Sequence, residues 1–315
     1  TLSGKAGEHQ DRSEDVDQPD CWRSQKDQVA ESMSSVKVFC GDALESLRTL
    51  EDQSVNTCVT SPPFWGLRDY GKDGQLGLEN TPQHYVDNLV EVFREVRRVL
   101  RDDGTLWINL GDSYKRDKQL TGMPWRVAFA LQAEGWCLRQ DIIWHKPTPM
   151  PESVHDRCTK AHEYIFLLSK NSSYYYDNDV IKDEAVGLDP GNVNKHKGSG
   201  ERFGRTKFGI DAIGAVTHRN KRSVWTVPTK PNPDAHFATY PPELIRPCIM
   251  AGCPEGGTVL DPFAGSGTTG QVAAHNQRDA LLIELNSEYV SIIEKRLGSD
   301  MFIDLDVEHL SPVGC

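Results

Sequence analysis

The chain has 315 residues, 37% hydrophobic and 26% charged, with a formal net charge of −11; that is the balance of a folded protein with a large core and about two domains. No run of 18 apolar residues and no signal-peptide pattern occurs, so neither a membrane span nor a membrane partner is expected. None of the eight cysteines forms a Cys-x-x-Cys pair, which argues against a zinc site or disulfide framework and for reduced thiols in an intracellular, metal-free protein.

Residues 1–34 carry four basic and eight acidic side chains without periodicity and read as a disordered leader. Order begins with a strand at Val36–Cys40, followed by Gly41-Asp42, a short helix to Leu50 and a strand at Val55–Val59 that runs into Ser61-Pro62-Pro63-Phe64. Thr81 can cap, and Pro82 can start, a helix over 81–101 whose Tyr85, Leu89, Val92, Val96 and Val99 share one face. Strand 105–110, helix 124–135 and strand 138–144 follow, then an expected antiparallel hairpin of 163–168 with 174–176. Periodicity is lost from 181 to 222. Within 191–230, nine Lys or Arg stand against two acids, a basic island in an acidic chain that points to one dedicated electropositive surface. Order returns at Val224-Trp225, with a helix at 242–251, a strand at 258–260, a glycine turn with a helix to about 275, a strand at 280–284 and a capped helix at 287–297. Strands alternating with helices predict an α/β fold on a parallel sheet. Patterning divides the chain into a leader (1–34), a first α/β half (35–180), an aperiodic basic region (181–222), a second α/β half (223–298) and a tail (299–315).

The glycine turn is Asp261-Pro262-Phe263-Ala264-Gly265-Ser266-Gly267-Thr268-Thr269-Gly270. Gly265-x-Gly267-x-x-Gly270 satisfies the dinucleotide fingerprint, and Glu284 ends the next strand where a ribose-binding acid is expected. An NAD-dependent oxidoreductase is therefore one reading. Against it, Asp261 and Phe263 crowd the turn with an acid and a ring where a pyrophosphate would sit. No lysine stands in a P-loop arrangement.

The turn resembles the S-adenosyl-L-methionine loop of the DNA amino-methyltransferases. Ser61-Pro62-Pro63-Phe64 resembles their (Asp/Asn/Ser)-Pro-Pro-(Tyr/Phe) motif, with Phe64 in place of the commoner tyrosine. An exocyclic amine is a poor nucleophile because its lone pair is conjugated with the ring. Acceptors on its two N–H bonds, the Ser61 hydroxyl oxygen and the Pro62 carbonyl, favour a pyramidal nitrogen and stabilise the charge that develops. Phe64 can stack on a base extruded from the duplex. The transfer is an in-line displacement in which positioning does much of the work.

The catalytic string precedes the cofactor turn, so the resemblance implies a circularly permuted Rossmann-like methyltransferase fold with an inserted target-recognition region. This is the β-class order, and the resemblance covers about residues 36–297. It implies S-adenosyl-L-methionine held by Asp42 (adenine amine), Glu284 (ribose), Asp261 (methionine end) and the turn residues Phe263, Ala264, Gly265, Ser266, Gly267 and Thr268. His236 and Phe237, in His236-x-Ala238-x-x-Pro241-x-x-Leu244, resemble the segment that packs near the methionine moiety. His162-Glu163-Tyr164-Ile165-Phe166, followed by Lys170, resembles the late strand of the catalytic half.

DNA is the implied partner, with Arg68, Lys195, Lys197, Arg202, Arg205, Lys207, Arg219, Lys221 and Arg222 as candidate contacts; a homodimer is compatible with this reading. Ser-Pro-Pro-aromatic strings are mostly those of N4-cytosine enzymes, so the expected activity is cytosine-N4 DNA methylation at an intracellular, DNA-associated location. N6-adenine methylation by the same residues is the alternative. A catalytically silent DNA-binding module is a further one.

Overall fold

The computed structural model describes residues 33–69, 71–72, 74–115, 117–184, 218–229 and 240–309. In chain order the elements are β1 (Ser34–Cys40), α1 (Ala43–Thr49), β2 (Val55–Thr60), α2 (Pro82–Val99), β3 (Leu100–Leu110), α3 (Met123–Ala133), β4 (Cys137–His145), β5 (His162–Ser169), β6 (Asp183–Glu184), β7 (His218–Arg219), β8 (Val224–Thr226), α4 (Pro242–Gly252), β9 (Thr258–Asp261), α5 (Thr268–Ala274), β10 (Asp279–Glu284), α6 (Ser287–Leu297) and β11 (Ile303–His309).

The helix starts follow the sequence. Asp42 caps α1 by accepting from the Glu45 N–H at 2.9 Å, the Thr81 hydroxyl accepts from His84 N–H at 3.2 Å, and Asn286 caps α6 through Glu288 N–H at 3.0 Å. The α2 stripe of Tyr85, Leu89, Val92, Val96 and Val99 is buried, which is where most of this helix's stability comes from. The helix ends at Val99 rather than 101, because Leu100 already pairs with Val55.

Nine strands form one sheet in the order β11-β1-β10-β9-β2-β3-β5-β4-β8. The helices cover both faces. One core joins Leu47 of α1, the α2 stripe and Val127 and Leu131 of α3. The other joins Leu244 and Ile249 of α4, Val272 of α5 and Ile293 and Leu297 of α6. This is the α/β, Rossmann-like arrangement, and the glycine-turn strand β9 lies in mid-sheet between β10 and β2.

Three expectations are corrected. The sheet is mixed, since β5 runs antiparallel to both β3 and β4. No helix lies in the 146–161 connection, so the chain returns beside β4 without the crossover that a parallel neighbour requires. The hairpin of 163–168 with 174–176 does not form, because both edges of β5 are already paired. Residues 174–176 instead pack across the β3 end, with Tyr175 N–H donating to Asp103 at 2.8 Å and Tyr176 stacked on Trp107 at 6.2 Å. Residues 303–309, assigned to a tail, form β11 alongside β1. Alternation of Ile303, Leu305 and Val307 with acids suits an edge strand, and Lys37 pairs with Glu308 at 2.7 Å.

Candidate active site

The carboxyl ends of β1, β10, β9, β2 and β3 lie along one edge of the sheet, where open α/β folds place ligands. Because β5 is antiparallel to its neighbours, its first residues, His162 and Glu163, reach the same edge. A cavity of about 910 Å³ opens there, lined by Asp42, Ser61-Pro62-Pro63-Phe64, Asn109, Phe263, Gly265 and Glu284 among others. The two sequence motifs, some 200 residues apart, therefore share one site. Its size is at the upper end for small-molecule sites. Among the described residues no group of three or more His, Cys, Asp or Glu could hold a metal ion.

In the Ser61–Phe64 loop, the Ser61 hydroxyl donates to Asn109 Oδ1 at 3.1 Å. The Asn109 amide is fixed in turn by Nδ2 donating to the Tyr164 carbonyl at 3.1 Å. With its proton engaged, the Ser61 oxygen is left to act as an acceptor toward the cavity. The Tyr85 hydroxyl, at the buried start of α2, donates to the Pro63 carbonyl at 2.8 Å. The Pro62 carbonyl receives no hydrogen bond among the described residues. Phe64 lies against Gly111, where any Cβ would overlap the ring, so glycine at 111 is what lets the ring sit there. Asn109 and Tyr85 carry this geometry and were not singled out as site residues from sequence. The available signal was a lone amide in the buried strand Thr105–Leu110.

On the cofactor side, Asp42, Phe263, Ala264, Gly265, Thr268 and Glu284 are on the cavity wall. Gly265 has φ +53° and open space where a Cβ would stand. Asp261, Ser266 and Gly267 stand behind this wall rather than on it. Asp261 is fully buried. Its carboxylate accepts from Thr60 Oγ1 at 2.6 Å, Tyr240 Oη at 2.8 Å, Thr269 Oγ1 at 2.5 Å and the Phe263 N–H at 3.1 Å. Asp261 thereby ties the residue before Ser61 to the cofactor turn. Burial nevertheless pushes its carboxyl above the usual range. Tyr240, which lines the cavity, was likewise not foreseen.

Glu284 accepts from Gly265 N–H at 2.8 Å and Asn286 N–H at 2.9 Å. Loss of hydration outweighs these bonds and raises its carboxyl to about 7. Two carboxylates at the wall, apolar surface between them and an open glycine suit a ligand rich in hydroxyl and amine donors. S-adenosyl-L-methionine fits that donor set: Glu284 would take the ribose hydroxyls and Asp42 the adenine amine.

A pH dependence follows. In the ligand-free protein Glu284 holds its proton more tightly than in the unfolded chain, so its contribution to stability is present at low pH and lost as pH rises through about 7. Ligand hydroxyls require the ionised form, so cofactor affinity should strengthen between about pH 6 and pH 8. Calorimetry should show this, and Glu284→Gln should bind more weakly with that dependence removed.

Of the expected DNA contacts, Arg68 lines the cavity. Lys221 pairs with Asp183 at 3.0 Å, Arg219 lies in β7 and is partly buried, and Arg222 is exposed. Lys195, Lys197, Arg202, Arg205 and Lys207, together with His236 and Phe237, lie outside the described residues, as do residues 1–32 of the expected leader. Lys146 and Lys160 also reach the cavity wall and were not anticipated.

Comparison with known proteins accords with this geometry. The family model described as "DNA methylase" (N6_N4_Mtase) matches residues 55–295. The Type II methyltransferase M.SmaI of Serratia marcescens is 43% identical over 84% of this chain and 92% of its own length. The Type II methyltransferase M.Cfr9I of Citrobacter freundii is 45% identical over 85% and 89%. Among solved structures, the putative DNA modification methylase TTHA0409 of Thermus thermophilus, complexed with S-adenosyl-L-methionine, superimposes with a TM-score of 0.59 at 26% identity over 87% of this chain and 99% of that one. The cytosine-N4-specific PvuII DNA methyltransferase has the same fold, with a TM-score of 0.62 at 19% identity over 87% and 96%. With its glycine turn and its Ser-Pro-Pro-Phe loop on one cavity, this chain belongs to the N6/N4 DNA methylase family, the S-adenosyl-L-methionine-dependent methyltransferases of DNA.

Proposed function

We propose that this DNA methyltransferase acts on the N4 amine of cytosine, in a base turned out of the duplex into the cavity beside Ser61. S-adenosyl-L-methionine, when bound, supplies an electrophilic methyl group. The chain supplies position and electrostatics. The observation that carries the reading is the pair of acceptors at the cavity wall: the Ser61 oxygen, its proton taken by Asn109, and the Pro62 carbonyl, left without a donor among the described residues. Two acceptors match the two N–H bonds of an exocyclic amine and favour the geometry in which its lone pair can attack. Phe64 offers a stacking face for the extruded ring. The choice of cytosine rests on the serine-type motif, by resemblance to the N4 enzymes. The protein would then be intracellular and DNA-associated.

Base identity can be tested with DNA copied using modified nucleotides and exposed to enzyme and methyl-labelled cofactor. DNA made with N4-methyl-dCTP should take up no label, and DNA made with N6-methyl-dATP should take it up as ordinary DNA does. The reverse pattern would assign the enzyme to adenine.

DNA affinity should depend on exposed rather than paired cations. Arg222→Ala should lower the slope of log affinity against log salt by about one unit, the value of one lost phosphate contact. Lys221→Ala should change it less, because Asp183 already matches that charge. Binding titrations across a salt series check this.

A further inference from the structure

A braced loop stands at the lip of the cavity. The connection from β4 to β5 is closed at its base by the Lys146 N–H donating to the Ala161 carbonyl at 2.8 Å. Lys146 also pairs with Glu163, and the Lys160 ammonium donates to the Asp112 carbonyl. Farther out, Arg157 pairs with Glu152, and Lys118 with Asp156 at 2.7 Å. A loop anchored at so many points is built to hold its shape. Its advancing limb reads Lys146-Pro147-Thr148-Pro149-Met150-Pro151, and three prolines in five residues fix three φ angles. Between the last two stands Met150, 85% exposed, the most exposed large apolar side chain among the described residues. It belongs to the wall of the same cavity as Ser61 and Phe64. Holding a flexible apolar side chain in water on a braced loop brings the folded protein no burial. It has a use if that loop meets the base stack.

We propose that Met150 is the wedge that enters the duplex and fills the gap left by the extruded base. Turning a base out costs its stacking and pairing, and an apolar side chain inserted between base steps offsets part of that cost. A thioether on an unbranched chain adapts its shape to such a gap. This inference rests on the reading that the site takes an extruded base.

The test uses the wild-type chain, Met150→Ala and Met150→Leu on two duplexes carrying the enzyme's own site, first identified by sequencing methylated DNA. One duplex is intact. The other has an abasic position opposite the target, so that no pairing is broken. Met150→Ala should lose about tenfold or more in kcat/KM on the intact duplex and about twofold or less on the abasic one, while Met150→Leu stays near wild type on both. An equal loss on both duplexes, or no loss on the intact one, would overturn the proposal. An exposed position leaves folding unaffected, and identical melting curves would confirm it. If the enzyme methylates no DNA at all, the underlying reading falls, and the wedge with it.

Discussion

Ser61→Ala is expected to lower methyl transfer about 10²–10³-fold while leaving affinity for S-adenosyl-L-methionine within about twofold of wild type, the usual cost of removing one preorganised acceptor or donor from a reacting centre. The separation follows from the architecture. Ser61 follows the last residue of β2, and its side chain bonds to Asn109 on β3. The groups at the cofactor wall belong to the β9 and β10 ends and to Asp42. Removing the hydroxyl subtracts an oxygen from the amine's environment and leaves the cofactor wall whole. Proline carbonyls cannot take over, because Tyr85 already holds that of Pro63 and that of Pro62 serves the other N–H. Single-turnover kinetics beside calorimetry separate the two effects. Near-normal turnover in Ser61→Ala would remove the side chain from the mechanism.

Asp261→Ala should behave differently, impairing stability, cofactor affinity and rate together. Its carboxylate is the common acceptor for three hydroxyls and one backbone N–H, and removing it leaves buried donors to repair their bonds with one another. Tyr240 and Thr269 already lie 2.5 Å apart and can do so, but Thr60 and the Phe263 N–H have no such substitute. The expected loss is about 2–4 kcal/mol, from unmet buried donors and from the cavity. For a chain of this size that lowers the melting temperature by roughly 3–6 °C. Asp261→Asn keeps shape and one acceptor and should lose less. An unchanged melting temperature in Asp261→Ala would mean that the node does not hold the two loops together.

The contrast between Ser61 and Asp261 also shows what can be read from sequence. The Ser61–Phe64 string and the glycine turn announced themselves through unusual residue types, and their order gave the permuted connectivity. Asp261 was visible as an acid in the turn, but its role was not. Whether an acid faces a cavity or turns inward is decided by Thr60, Tyr240 and Thr269, which come from three separate segments. Asn109 and Tyr85 were hidden for the opposite reason, since a strand residue and a helix-stripe residue look like core until tertiary contacts are known. The missing hairpin has a similar cause. Local patterning cannot reveal that β5 is already paired on both edges, whereas the alternation in Ile303–His309, overlooked when these residues are assigned to a tail, marks an ordinary edge strand.

We propose that this site methylates an exocyclic amine and that the amine is cytosine N4. Digestion of enzyme-treated DNA to nucleosides, followed by mass spectrometry against synthetic standards, tests it most directly. The expected product is N4-methyl-2′-deoxycytidine, formed only when S-adenosyl-L-methionine is present and formed about 10²–10³-fold more slowly in Ser61→Ala. N6-methyl-2′-deoxyadenosine with no N4-methylcytosine would contradict the base assignment, and 5-methylcytosine or no methylated nucleoside would contradict the chemistry of the site.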